Sequence, residues 1–462
     1  MIEGLKPYAA YKESGSKWLG DVPVKWEVRN LRTLISKRAE RDRADLPLLS
    51  VAREKGVFVR SMTDADENHN VIPEDLSNYK VARAGNLVIN KMKAWQGSMG
   101  IAPCDGIVSP AYFVFDFRMP NHAFGQKLLR SKPYVAHFGQ ASDGVRVGQW
   151  DLSIPGMRQI PVLVPSEEEQ AAIVRFLDHA NRKIDGFIRA KRKLIALLNE
   201  QKQAIIHRAV TRGLDSDVQL KPSGIPWLGD IPVHWDVKRA KYVFREIDER
   251  SGTGREEQLS VSHLTGVTPR SEKNITMFKA ESYVGHKICR PGDLAINTMW
   301  AWMAALGVSK HEGIISPAYG VYRQRSPQRL LGSYADFLLR TQPYTSNYMS
   351  RSTGVRASRL RLYPEEFFRI SIIIPPIEEQ GRIVNSITTE TQSRNAAIAR
   401  TEREIALMQE YRTRLTSDIV TGKLDVREAA AKLPDLPADT DTAPEPIADD
   451  ALDEIEIETE ES

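Results

Sequence analysis

The chain has 462 residues and a net charge of +4, enough length for two or three domains, each with its own core. Thirteen acidic residues and one lysine in 428–462 sum to −12, leaving +16 on the first 427 residues, an excess that suits a polyanionic partner. The longest apolar runs, such as 372–374, are far too short to span a bilayer, and the first residues lack the apolar stretch of a signal peptide, so a cytoplasmic protein is expected.

In chain order, Trp18-Leu19-Gly20-Asp21-Val22-Pro23 followed by Trp26 opens a first globule. Short strand-like runs follow at 87–89, 112–115 and 160–164, punctuated by Gly, Pro, Asn and Asp, which reads as an α+β domain. A long helix is predicted next. Pro165, Ser166 and Glu169 form a capping-box signature, and Gly213 supplies the stop. Between them Ile173, Leu177, Ala180, Ile184, Phe187, Leu194, Leu198 and Ile205 recur at steps that mark a coiled-coil seam, with Lys191 and Gln201 as polar interruptions. The basic run Arg182, Lys183, Arg189, Lys191, Arg192 and Lys193 suits DNA, a partner subunit or plain solvation.

The order then repeats. Trp227-Leu228-Gly229-Asp230-Ile231-Pro232 and Trp235 echo the opening, and strand-like runs recur at 294–296 and 370–374. Residues 85–112 align without a gap to 292–319 with 14 of 28 identical, so the repeat is a whole domain rather than a short motif. Gly144-Val145-Arg146 returns as Gly354-Val355-Arg356, and Glu168-Glu169-Gln170 as Glu378-Glu379-Gln380. Residues 40–80 and 250–285 show little likeness, the pattern of one scaffold serving two specificities. A second helix after Pro375-Pro376 carries Ile383, Ile387, Ile398, Ile405, Met408, Leu415 and Ile419, with Arg394 as an intruder. An apolar seam must be covered, and the two helices packing on each other as an antiparallel coiled coil is the economical solution. The expected divisions are 1–165 and 214–375 as globules, 166–213 and 376–425 as spacer helices, and 426–462 as an acidic disordered tail.

Catalytic motifs are missing. No GxxxxGK[ST] loop, no glycine-rich strand-to-helix turn, no Asn/Asp-Pro-Pro-aromatic tetrapeptide and no GxSxG elbow occurs. Cys104 and Cys289 share no short spacing and the histidines make no HxxxH pair, so neither a disulfide nor a metal site is expected.

The Trp-Leu-Gly-Asp-Ile/Val-Pro-x-x-Trp opening resembles the specificity subunits of type I restriction–modification systems. So does the Gly-Val-Arg segment followed by an Ile/Val-rich strand, Pro, Glu-Glu-Gln and a long helix. The likeness covers residues 11–427 and leaves the acidic tail outside. It implies two tandem target-recognition domains, each reading one half of a split site in double-stranded DNA, with the helices setting the spacer. It also implies docking of two methyltransferase subunits, which hold S-adenosylmethionine, and of motor–nuclease subunits, which use ATP and magnesium; this chain would bind no cofactor and perform no catalysis. An unrecognised metal-dependent nuclease and a coiled-coil scaffold without a DNA role are the alternatives.

Candidate DNA contacts are Asn90, Lys91, Lys93, Trp95 and Arg146 in the first half, and Asn297, Trp300, Trp302, Arg356 and Arg359 in the second. Asn can pair with adenine edges and Arg with guanine or phosphate. The competing roles are core packing for Trp95 and Trp302, and a turn after a strand for Asn90 and Asn297.

Overall fold

A computed structural model describes residues 5–60, 75–144, 150–272, 282–354 and 360–434. Two long helices, Glu167–Arg212 and Ile377–Val420, are joined to two globules of mixed helix and strand. Contacts divide the chain through the middle of both helices. The first unit contains residues 1–191 and 403–442, and the second 192–402 and 443–462. Among the described residues no helix is long and apolar enough to cross a membrane.

The first globule is built on a four-stranded antiparallel sheet in the order Ile35–Lys37, Tyr112–Phe117, Leu87–Asn90, Met99–Ile101. Strand Leu87–Asn90 is buried on both faces, which is why it reads as an unbroken apolar run rather than an alternation. Helices His122–Leu129 and Lys132–Gln140 bury Phe124, Leu128, Tyr134 and Phe138 in the core beside the sheet. The second globule repeats this plan: Phe244–Glu246, Gly320–Gln324, Leu294–Ile296 and Leu306–Val308 form the sheet in the same order. The strands expected from the apolar runs at 87–89, 112–115, 160–164, 294–296 and 370–374 are all present.

The recurring motifs explain how a globule grips the long helices. Trp26 and Trp235 are completely buried. Each lies against the glycine that ends a long helix, Gly422 in the first unit and Gly213 in the second, both with positive φ. A Cβ on Gly422 would meet Pro23 at 2.5 Å, so this close approach requires glycine. The Glu-Glu-Gln motif sits at the start of the other helix, where Gln170 and Gln380 are fully buried. The Asn121 N–H donates to Gln170 Oε1 at 3.0 Å, and Gln170 Nε2 donates to Pro165 O at 2.8 Å. In the second unit the Leu331 N–H donates to Gln380 Oε1, while Gln380 Nε2 donates to both Arg329 O and Pro375 O. One side chain thus satisfies backbone groups of both helix entry and globule, which would otherwise be orphaned in the core. Ser166 caps the first helix as expected, accepting from the Glu169 N–H.

The helices run antiparallel within each unit. In the first, Asp185 pairs with Arg412 at 2.9 Å and Lys191 with Glu404 at 2.7 Å. In the second, Lys202 Nζ donates to Asn395 Oδ1 at 3.1 Å, and Arg394 Nε to Gln201 Oε1 at 3.4 Å. Two details of the expected seam are corrected. Ile188, not Phe187, is the buried position, and Leu194 is exposed at 40%. A helix of 3.6 residues per turn drifts against a 3.5-residue repeat, so the facing position slips by one along a long pair. On the second helix the gaps in the stripe are filled by buried Thr391 and Thr401, each hydroxyl donating to the carbonyl four residues back.

The tail boundary is also corrected. Val426 and Ala430 are buried in the first core and Arg427–Ala431 is helical, so packed structure extends past 426. The expectation of disorder for the rest of the tail falls on 435–462, outside the described residues.

Candidate nucleic-acid interface

The residues singled out in the first half gather around the turn after strand Leu87–Asn90. Asn90 is only 6% exposed. Its Oδ1 accepts from the Met92 N–H at 3.2 Å, closing an Asx turn that leads into the 3-10 helix Ala94–Gln96. Trp95 Nε1 donates to Met92 O at 3.1 Å, and the indole meets Trp150 edge-on at 5.5 Å. Lys91 Nζ bonds Asp151 Oδ2 at 2.7 Å, and the Leu152 N–H donates to Lys91 O. Lys93 is exposed.

The second half is built alike. Asn297 Oδ1 accepts from the Met299 N–H at 3.2 Å, and its Nδ2 donates to Tyr319 Oη at 3.0 Å. Trp302 Nε1 donates to Met299 O, and Trp300 stacks on Trp302 with centroids 5.9 Å apart. The Leu362 N–H donates to Thr298 O, as Leu152 does to Lys91. Recurrence of Asn90 and Asn297 therefore reflects turn building. Both side-chain oxygens are engaged within the turn, and in Asn297 the amide nitrogen is engaged as well. Trp95 and Trp302 have their N–H groups satisfied locally and serve the same turn. Among the described members of the set, Lys93 is the exposed cation.

Arg146, Arg356 and Arg359 lie outside the described residues. The chain on either side of them is pinned. Ser142–Asp143 pairs with Asp151–Leu152, and Thr353 bridges to Arg361. Through Leu152, Trp150 and Leu362 these paired ends sit on the turns that hold Lys91, Trp95 and Trp302.

Sequence reasoning missed one pair of residues. Arg130 Nη2 donates to Arg53 O at 2.6 Å and to Glu54 O at 2.7 Å, holding the tip of the hairpin Leu49–Ala52/Gly56–Val59. Arg340 Nη2 holds the tip of Leu259–Ser262/Gly266–Pro269 by donating to His263 O and Leu264 O. Both hairpins fall within the divergent segments 40–80 and 250–285. A shared clamp therefore fixes the backbone while the tips differ: Arg53-Glu54-Lys55 against His263-Leu264-Thr265. The available signal was the repeated string Leu128-Leu129-Arg130 and Leu338-Leu339-Arg340. In the second unit His263, Leu264, Trp302 and Arg340 border a cavity of about 660 Å³, closed on another side by Lys202 and His207 of the long helix.

The sheets also carry ion pairs whose polarity is exchanged between halves. In the first, Arg38 Nε bonds Asp116 at 2.6 Å and Asn86 Nδ2 bonds the same carboxylate at 3.1 Å. At the matching positions of the second, Arg323 makes a two-pronged bond to buried Asp293, both contacts at 2.7 Å. The Asp293 carboxylate beside Arg323 holds that guanidinium's pKa above the ordinary value. The other pair is kept: Arg83 with Glu40, and Arg290 with Glu249.

No protein-family model matches the chain, and no curated protein matches it. Solved structures do. One, described as the structural basis underlying complex assembly and conformational transition of the type I R-M system, aligns at 18% identity with a TM-score of 0.55, covering 87% of this chain and 99% of that one. The crystal structure of the HsdS subunit from Thermoanaerobacter tengcongensis aligns at 17% identity and TM-score 0.39, covering 88% and 98%. That of a type I restriction–modification system S subunit from M. genitalium aligns at 12% and 0.32, covering 85% and 96%. The first of these likenesses establishes the fold, two globules with two long helices.

Proposed function

We propose that this chain is the DNA-recognition subunit of a type I restriction–modification enzyme. Each globule, 1–165 and 214–375, reads one half of a bipartite duplex target. The two helices set the spacer and dock two methyltransferase subunits, and motor–nuclease subunits join them for cleavage. The chain works in the cytoplasm and is not itself an enzyme. S-adenosylmethionine belongs to the methyltransferase partners, and ATP and magnesium to the motor–nuclease.

The observation that carries this reading is the duplicated globule in which a common clamp presents divergent tips. Arg130 and Arg340 hold equivalent hairpins in the same way, while the residues at the tips differ in charge and shape. That is what a protein needs when one framework must read two unrelated half-sites: shared residues position, and divergent ones specify. The excess of +16 outside the acidic segment suits the phosphate backbone. The fold shared with a chain of a type I R-M structure supports the same reading.

The test is adenine-methylation sequencing of the native host with the gene intact and deleted. A split methylated motif that disappears on deletion is the expected result. A methylome that does not change overturns the proposal. Cutting of duplex DNA by the purified chain with magnesium or manganese would put the nuclease alternative in its place.

A further inference from the structure

The two hairpin tips hold matching positions and share one backbone. Arg53-Glu54-Lys55 joins Leu49–Ala52 to Gly56–Val59, and His263-Leu264-Thr265 joins Leu259–Ser262 to Gly266–Pro269. A glycine at positive φ follows each tip, Gly56 at φ 74 and Gly266 at φ 68. A Cβ there would crowd the clamping arginine, meeting Arg130 Nη1 at 3.0 Å or Arg340 Nη1 at 3.2 Å. The clamps bind carbonyls of residues 53, 54, 263 and 264, so the backbone is held whatever side chains the tips carry.

The exposed side chains on the tips differ in kind. Those of Arg53 and Glu54 are 69% and 85% exposed and pair at 3.3 Å, Nε to Oε1. An ion pair this exposed contributes little to stability, so it opens readily to other partners. At the place of Glu54 the second unit has Leu264, 66% exposed, its N–H donating to Ser262 Oγ at 3.2 Å. Leu264 borders the cavity that Trp302 also borders. A two-stranded ribbon fits the major groove, where each base pair shows its own donors, acceptors and methyl group. Phosphates repel a carboxylate, so Glu54 is out of place on a tip that only grips the backbone and suits a base edge that donates.

We propose that the two tips select different base pairs, the first a G·C pair in one half-site and the second an A·T pair in the other. Arg53 donates to guanine O6 and N7, and Glu54 accepts from the amino group of the paired cytosine. Leu264 packs on the thymine methyl group, which offers an apolar contact where the first tip makes polar ones. The shared clamps fix where each contact falls, and residues 53, 54 and 264 decide which base pair is accepted. This deepens the DNA-recognition reading and rests on it.

The first test is adenine-methylation sequencing of host strains carrying the intact gene, Arg53→Gln, Glu54→Gln or Leu264→Ala. Arg53→Gln and Glu54→Gln should relax the same G·C position of one half-site, with discrimination there falling about tenfold. Leu264→Ala should relax an A·T position of the other half-site. Relaxation at neither position, relaxation at a base pair of the other kind, or action of both tips on one half-site overturns the proposal. So does a variant that methylates nothing while keeping the parent's unfolding midpoint. Where a variant lowers the midpoint, a second measurement on the parent decides. The complex purified from the intact host should bind its target duplex about tenfold less tightly when 7-deazaguanine stands at the selected guanine. Binding should weaken severalfold when uracil, which lacks the methyl group, stands at the selected thymine. Binding that no such replacement changes overturns the proposal. An intact strain without a split motif fails the DNA reading itself, whereas a split motif that no tip change alters fails only the tips.

Discussion

Single side chains set most of what is shared between the halves. Gln170 makes two buried hydrogen bonds and Gln380 three. Replacing either by alanine leaves backbone groups unsatisfied in the core and should cost about 2–4 kcal/mol, with Gln380→Ala the worse of the two in denaturant titration. Ala304 stands at φ 66 where the first half has Gly97 at φ 87, one of two non-glycine residues with positive φ among those described. Ala304→Gly should therefore stabilise the protein by about 0.5–1 kcal/mol, because release from the left-handed region outweighs the added freedom of the unfolded chain. A lower midpoint in the variant would refute this. Lys93 is exposed and joins the turn through its backbone N–H and carbonyl rather than its side chain, so Lys93→Ala should weaken duplex binding uniformly across sequences and reduce the salt slope by about one. The sequence made the shared positions visible and left Asn90 between a turn role and a base contact. The hydrogen bonds of Asn90 and Trp95 to Met92 show the turn they build.

At the level of elements, the long helices were legible because cap, stop and apolar period all agree, as Ser166, Gly213 and the Ile173–Ile184 spacing illustrate. The middle of the seam was not. Lys191 and Glu404 meet there across the helices, and Thr391 and Thr401 are buried, choices that no hydrophobic count anticipates. Those threonines spend their hydroxyls on carbonyls already bonded within the helix ladder. Thr401→Val should accordingly be neutral or stabilising by up to about 1 kcal/mol in thermal unfolding, whereas Thr401→Asp should be strongly destabilising. The clamped hairpins were hidden for another reason: Arg130 reaches carbonyls 77 residues earlier, a separation that leaves no local trace. Arg130→Ala should speed amide exchange at residues 53–55 while leaving the four-stranded sheet protected.

On the scale of the whole chain, the repeat was the decisive feature, and it told of architecture before it told of chemistry. Two copies of one sheet, each with its own buried tryptophan and glutamine at the helix ends, make a molecule whose halves look interchangeable. The exchanged ion pairs say otherwise. A chimaera that transplanted strand Gly320–Gln324 into the place of Tyr112–Phe117 would set Arg323 against Arg38 in place of Asp116, leaving Glu40, already shared with Arg83, as the acid nearby. The reverse graft would press Asp116 onto the sequestered Asp293. Under the proposed DNA-recognition role, exchanges between the halves should therefore be best tolerated at the helix boundaries, where heads travel intact. Crossovers inside a sheet should lower stability, read as an earlier unfolding midpoint.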